Sequence, residues 1–247
     1  MNKECPIIAL DFPTGKEALD FVDLFERESL NVKIGMELFY IEGPRIVQEL
    51  RSRGHNIFLD LKLHDIPNTV KSAMNSLARL EIDMVTVHCQ GGLKMLEAAI
   101  EGLESGTQQT EQPPLIVGIT QLTSTSPKHV HSEQLLDSQI TLEESVLKYA
   151  QLAKQAGLDG VVSSPLESKA IKQTISSNFS VVTPGIRMDI NPMDDQIRIA
   201  TPAQAAQLQS DYIVVGRPIT QAKNPVLVYQ TITTEWQNAR KTLNKEV

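Results

Sequence analysis

Short runs of β-branched and apolar residues alternate along this chain with longer stretches whose apolar positions recur every three or four residues. The runs Ile7–Asp11, Val32–Gly35, Ile57–Leu63, Met84–His88, Leu115–Thr120, Gly160–Val162, Val181–Thr183 and Tyr212–Val215 predict eight strands. The intervening stretches predict helices. Their apolar faces are Ala18, Phe21, Val22 and Phe25; Ile46, Val47 and Leu50; Val70, Met74 and Leu77; and Leu93, Leu96, Ile100 and Leu103. Further along come Leu142, Val146 and Tyr149; Ile171 and Ile175; a helix opened by Thr201-Pro202; and finally Val226, Tyr229, Thr233 and Trp236. Pro67 stands at a predicted helix start, where the missing N–H had no partner to lose.

Strand–helix alternation implies a parallel α/β sheet, and eight units in 247 residues predict a closed (β/α)8 TIM barrel. An open doubly wound sheet competes, but no Gly-x-Gly-x-x-Gly turn follows the first strand. No linker or shift in composition divides the chain, so residues 1–247 are expected to form one domain. Two connections are long. One runs from Gln121 to about Gln139, the other from Gly185 to Ala200. The second carries Arg187 and Gln196 and reads as a binding loop; much of the first, beyond Ser126, reads as an inert surface insertion.

Composition narrows the function. An apolar share of 41% excludes disorder, and a net charge of −7 argues against binding nucleic acid or an anionic membrane surface. A small anionic ligand would need a few local cations. Cys5 and Cys89 lack metal-site spacing and suit a reducing cytoplasm. No signal peptide is expected from Met1–Pro6, and no apolar run nears the roughly 20 residues of a membrane span.

Strands buried on both faces should be apolar throughout, so charges at their ends are informative. Asp11 ends the first, Lys33 lies in the second, Asp60 and Lys62 lie near the end of the third, and Gly216-Arg217 follows the eighth. Catalytic groups of such barrels gather at the C-terminal strand ends. Alternation puts Phe58, Asp60 and Lys62 on one face and Leu59, Leu61 and Leu63 on the other. Asp65 follows three residues after Lys62, so an alternating chain Lys33–Asp60–Lys62–Asp65 is expected, with Lys62 held protonated as a general acid. A buried structural salt-bridge network is the plain alternative. A metal site on Asp60, Asp65, His64 or His88 is another, but the two lysines would repel a divalent cation. His88 itself reads as a satisfied histidine at the barrel mouth. Gly216-Arg217, with Arg187 after Thr183-Pro184-Gly185, has the makings of a phosphate site in the loops after strands seven and eight.

The segment Asp60-Leu61-Lys62-Leu63-His64-Asp65-Ile66-Pro67-Asn68-Thr69 resembles the signature of bacterial orotidine 5'-phosphate decarboxylases. Ala9-Leu10-Asp11, Lys33-Ile34-Gly35, Leu122-Thr123-Ser124, Thr183–Arg187, Asp195-Gln196 and Val215–Ile219 extend the resemblance over nearly the whole chain. Asp-x-Lys-x-x-Asp alone is shared with magnesium-dependent sugar-phosphate lyases and isomerases, but those carry a glutamate where Lys33 stands. The resemblance implies cofactor-free decarboxylation of orotidine 5'-monophosphate to UMP, the last step of de novo UMP synthesis. It implies that Lys62 protonates C6, Asp60 sits beside the substrate carboxylate, Lys33 holds Asp60 and the ribose, and Asp11 binds a ribose hydroxyl. Thr123 would meet the pyrimidine edge. Pro184, Arg187, Gln196, Gly216 and Arg217 would hold the phosphate. Asp65, Ile66 and Thr69 would enter a neighbouring subunit's site, which makes the protein a homodimer. A non-catalytic nucleotide-binding protein is a further alternative, against which the intact lysine–carboxylate cluster argues.

Overall fold

Eight parallel strands pair in sequence order, and the last returns to the first. They are β1 (Ile7–Ala9), β2 (Asn31–Gly35), β3 (Asn56–Leu63), β4 (Met84–His88), β5 (Leu115–Ile119), β6 (Gly160–Val162), β7 (Ser180–Thr183) and β8 (Tyr212–Val215). The predicted (β/α)8 barrel is therefore the fold. This computed structural model describes every residue except 27, 109–111, 189–197 and 244–247.

The helices are α1 (Gly15–Asp23), α2 (Met36–Glu42), α3 (Pro44–Ser52), α4 (Pro67–Ala78), α5 (Leu93–Gly106), α6 (Pro127–Ser132), α7 (Leu142–Ala156), α8 (Pro165–Thr174), α9 (Pro202–Gln207), α10 (Arg217–Thr220) and α11 (Pro225–Leu243). Three expectations are corrected. The single helix expected after β2 is two, because Gly43 breaks it with φ +62° and Pro44 restarts it. β1 ends at Ala9, so Asp11 lies just beyond its strand. The stretch after Ser126 is no inert insertion: Ser126 caps α6, Val130 is fully buried, and Gln134 exchanges two hydrogen bonds with Gln121 (2.9 and 3.0 Å).

Strand alternation separates two cores. Ile7, Phe58, Met84, Val117, Val182, Tyr212 and Val214 fill the barrel interior, while Ile8, Val32, Leu59, Val85, Val161 and Ile213 pack outward against the helices. The interior plug closes the barrel beneath its C-terminal mouth. α5 packs tightly on α4 through glycines. A Cβ on Gly102 would meet the Lys71 carbonyl oxygen at 2.3 Å, and one on Gly106 the Asn75 carbonyl oxygen at 2.3 Å. That contact fixes α4, whose N-terminus leads out of the charged strand β3.

The opposite end is held by a repeated device. Asp83, just before β4, accepts the Ile57 N–H on its carboxylate (2.7 Å) and returns its own N–H to the Ile57 carbonyl (2.9 Å). Asp159 does the same with Ile116 (2.8 and 3.1 Å), and Asp211 with Val181 (2.7 and 2.9 Å). Each aspartate satisfies a strand-end donor and sets the start of the next even-numbered strand. Asp211 also pairs with Lys172 at 2.5 Å, a lysine with only 8% of its side chain exposed. Asp211→Ala strands that buried charge and is expected to cost about 3 kcal/mol, against about 1 kcal/mol for the more exposed Asp159→Ala. Urea unfolding tests the order; equal midpoints for the two variants would refute it.

Candidate active site

β3 carries the site because it rises through the barrel interior. Phe58 belongs to the interior plug, Asp60 stands one pleat above it, and Lys62 one pleat higher at the mouth. Leu59 and Leu61 face the helices, as the alternation predicts. The strand is irregular here. Leu59 pairs with Val85 and Leu63 with Val87, so β3 uses two more residues than β4 over the same span. Lys62 takes up the slack with φ +52°, a left-handed conformation costly for a lysine. Thr86 fills the gap from β4: fully buried, it accepts the Lys62 N–H (2.8 Å) and donates its hydroxyl to the Asp60 carboxylate (3.1 Å).

Four charges alternate across the mouth. Asp11 lies 3.2 Å from the Lys33 ammonium, Lys33 is 3.6 Å from Asp60, and Lys62 is 2.9 Å from the same Asp60 oxygen. Only 12% of the Lys33 and of the Asp60 side chain is exposed. Burial works to raise the Asp60 carboxyl, but Lys33 and Lys62, with hydrogen bonds from Lys62 and Thr86, outweigh it and hold the group below the ordinary carboxylate value. Gly35 makes room for the cluster, since a Cβ there would stand 3.2 Å from both the Asp11 carboxylate and the Lys33 ammonium.

The expected fourth member is elsewhere. Asp65 is exposed, and its carboxylate accepts the N–H of Ile66 at 2.6 Å. No ion pair joins it to Lys62 within the described chain. It does not line the cavity, and the described ion pairs give the alternation Asp11–Lys33–Asp60–Lys62 instead. Ile66 and Thr69 are exposed on the same segment, outside the cavity.

That cavity, about 520 Å³, opens above the interior plug. The four charges line one side, and Thr123 lines it from the loop after β5. Pro184, Gly185 and Arg187 enter from the loop after β7, and Gly216 and Arg217 from the end of β8. The expected base-facing and phosphate-facing groups therefore share one hollow. Gln196 lies outside the described residues. Sequence reasoning missed Thr86 and Ser163, and named Gly35 and Ser124 only as members of motifs, without a role. A polar residue inside the apolar run Met84–His88 was the available signal for Thr86, whereas Ser163 looks like any other loop serine.

The chain matches the model of the "Orotidine 5'-phosphate decarboxylase / HUMPS family" over residues 5–232. It is 54% identical to the orotidine 5'-phosphate decarboxylase of Bacillus cytotoxicus over 231 residues, covering 94% of this chain and 96% of that protein. The corresponding figure for Bacillus mycoides is 53%, with the same coverage. Among solved structures, orotidine 5'-phosphate decarboxylase from Lactobacillus acidophilus superposes with a TM-score of 0.84 at 39% identity, covering 94% of this chain and 98% of that one.

His88 stays out of the cavity. Its ring stacks on His64 (5.4 Å between centroids, 22° between planes), and its Nδ1 accepts the Gln90 N–H at 3.2 Å. Burial, then the charges of His64 and Lys62, pull its pKa down to about 4. The unfolded chain, with an ordinary histidine, takes up that proton first, so stability falls as pH drops from about 6.5 towards 4. His88→Gln keeps an acceptor for Gln90 and removes the titration. Its melting temperature should decline less than that of the wild type across this window; parallel curves would mean that His88 titrates normally.

Proposed function

The chain belongs to the orotidine 5'-phosphate decarboxylase / HUMPS family and decarboxylates orotidine 5'-monophosphate to UMP and carbon dioxide, and from that premise we propose how the barrel mouth does it. The observation that carries the reading is the Lys62 ammonium, 2.9 Å from the buried Asp60 carboxylate and fixed at the cavity wall.

The pyrimidine lies at the charged wall, with its carboxylate beside Asp60 and C6 facing Lys62. When the C6–carboxylate bond breaks, carbon dioxide departs and the electron pair stays on C6. No adjacent carbonyl takes up that charge directly, so a fixed cation is the remaining source of stabilisation. Lys62 supplies it, then gives C6 a proton from its ammonium group. Lys33 keeps Asp60 in place and, with Asp11, meets the ribose hydroxyls. Thr123 contacts the pyrimidine edge. Pro184, Arg187, Gly216 and Arg217, with Gln196, hold the phosphate. That group takes no part in the chemistry, so its binding energy serves to seat the reacting end.

Magnesium-dependent chemistry on a sugar phosphate, the competing reading on this barrel, fits these residues poorly. A divalent ion on Asp60 would meet ammonium groups already 2.9 and 3.6 Å from that carboxylate. A non-catalytic nucleotide binder has no use for the strained Lys62.

We further infer a homodimer with shared sites. Asp65, Ile66 and Thr69 are exposed beyond their own cavity, and Tyr40, Ile41 and Ile66 leave large apolar side chains uncovered on elements following neighbouring strands. Asp65 from a second copy would place a further carboxylate next to Lys62. The partner set is then the nucleotide and a second copy, without nucleic acid or membrane. Among the described residues no helix is long and apolar enough to cross a membrane, and the two cysteines are free, as suits the cytoplasm.

Loss of orotidine 5'-monophosphate absorbance in excess chelator, with UMP as product, is the direct test; a requirement for magnesium would overturn the reading. Lys62→Ala should lose at least about 1,000-fold in kcat with its melting temperature nearly unchanged. Near-normal turnover in that variant removes Lys62 as proton donor. Mixing inactive Lys62→Ala chains with Asp65→Ala chains should restore activity by forming one intact site per mixed dimer. Mixtures that exchange subunits yet stay inactive would refute the shared site.

A further inference from the structure

Arg198 lies outside the cavity, yet its guanidinium joins three loops that line it. It pairs with Glu167 at the start of α8, and both side chains are about nine-tenths buried. Its other terminal nitrogen donates to the carbonyls of Leu122 (2.5 Å) and Gln121 (3.4 Å), directly ahead of Thr123 and Ser124. Glu167 in turn accepts the Ser163 hydroxyl (2.6 Å) and the Ser164 N–H (2.9 Å) at the end of β6, where Ser163 lines the cavity. Ser164 also donates to the Arg198 carbonyl (3.4 Å). Two residues on, Ala200 is tied to the phosphate side: it donates to the Gly185 carbonyl (3.1 Å) and accepts the Arg187 N–H (3.0 Å).

We propose that Arg198 is a positioning residue that fixes the span between the base-facing loop after β5 and the phosphate-facing loop after β7. The assignment of those two ends rests on the function proposed above. A pair kept only for stability would be a poor choice here. Both partners are desolvated, and the Arg198 Nε is buried with no hydrogen-bond partner among the described residues. The guanidinium fork provides what an apolar pair cannot, a fixed reach from one acid to two carbonyls on another loop. A nucleotide must touch both ends at once, so an error in their spacing weakens its binding. A ligand that touches one end is unaffected.

The test compares UMP, which spans the cavity, with inorganic phosphate, which occupies one end. Arg198→Met should raise the KM for orotidine 5'-monophosphate and the Kd for UMP by about tenfold or more, with kcat within about threefold and the inhibition constant of phosphate within about twofold. Arg198→Lys keeps the charge on Glu167 but not the fork, and should fall between wild type and Arg198→Met. Glu167→Gln keeps the Ser164 cap and frees the guanidinium, and should raise KM in the same sense. These two milder variants carry the test if Arg198→Met does not fold. Unchanged KM in them would overturn the proposal. So would a phosphate constant that rises in step with the UMP constant, which would make Arg198 a phosphate contact. If wild-type protein binds UMP and phosphate without competition, the placement of the phosphate end fails, and this inference with it.

Discussion

The carboxylate of Asp60 is the constraint around which the mouth of this barrel is organised. An acid with so little exposure stays ionised only if cations stand beside it, and Lys33 and Lys62 do so at 3.6 and 2.9 Å. Such a cluster adds little net stability, because desolvation of each charge consumes most of the attraction. Asp60 is the member the others depend on: without it Lys62 loses the one ion-pair partner it has among the described residues, and Lys33 keeps only Asp11. The surroundings are arranged accordingly: Gly35 gives up its side chain to make room, Thr86 binds both Asp60 and the Lys62 backbone, and Lys62 accepts a left-handed φ inside a strand. A strand optimised for stability would hold none of these. Their coincidence at the C-terminal mouth is a mark of function.

The same alternation explains how an acidic protein handles an anionic substrate. The chain carries a net charge of −7, so its average field repels a nucleotide. Inside the mouth, Asp11, Lys33, Asp60 and Lys62 sum to zero, and Arg187 and Arg217 add positive charge at the far end. In the proposed arrangement the substrate carboxylate lies nearest Asp60 before reaction. Decarboxylation moves its charge one bond, onto the carbon that faces Lys62. The enzyme needs no mobile groups to follow that displacement, because an anion and a cation already stand 2.9 Å apart along its path.

Much of this was legible in the sequence, and the failures have physical causes. Element order and fold followed from hydrophobic period alone, because parallel strands buried on both faces leave unbroken apolar runs. Asp60 and Lys62 stood out because charge in such a run has no structural excuse. The alternation rule then placed them inside the barrel, and it survives the irregularity in β3. What could not be read is whatever depends on pairing between strands. The register shift opposite Val85 and Val87, and the role of Thr86 within it, are properties of two strands together. Asp65 was misplaced for a related reason. Three residues is a short separation along the chain, but the Asp65 carboxylate is taken up by the Ile66 N–H and does not line the cavity. Arg198 escaped notice altogether, since its partners Glu167 and Leu122 are 31 and 76 residues away.

The two ends of the cavity are built differently, and the difference follows from what each must do. The proposed reacting end rests on strands β2, β3 and β4, on top of a filled interior, with Lys33, Asp60, Lys62 and Thr86 tied to one another. Fixed charges there cost no reorganisation when the bond breaks. The proposed phosphate end is carried by loops after β7 and β8, which can be shaped around a ligand without disturbing the strands. Loops alone would leave the distance between the ends undefined, and a nucleotide could not then engage both ends at full strength. A buried connection between the loops resolves this, and the ion pair of Arg198 with Glu167 is placed to provide it. Rigid strands at the proposed reacting end, adaptable loops at the proposed phosphate end and one charged joint between them would let a single nucleotide reach both ends at once.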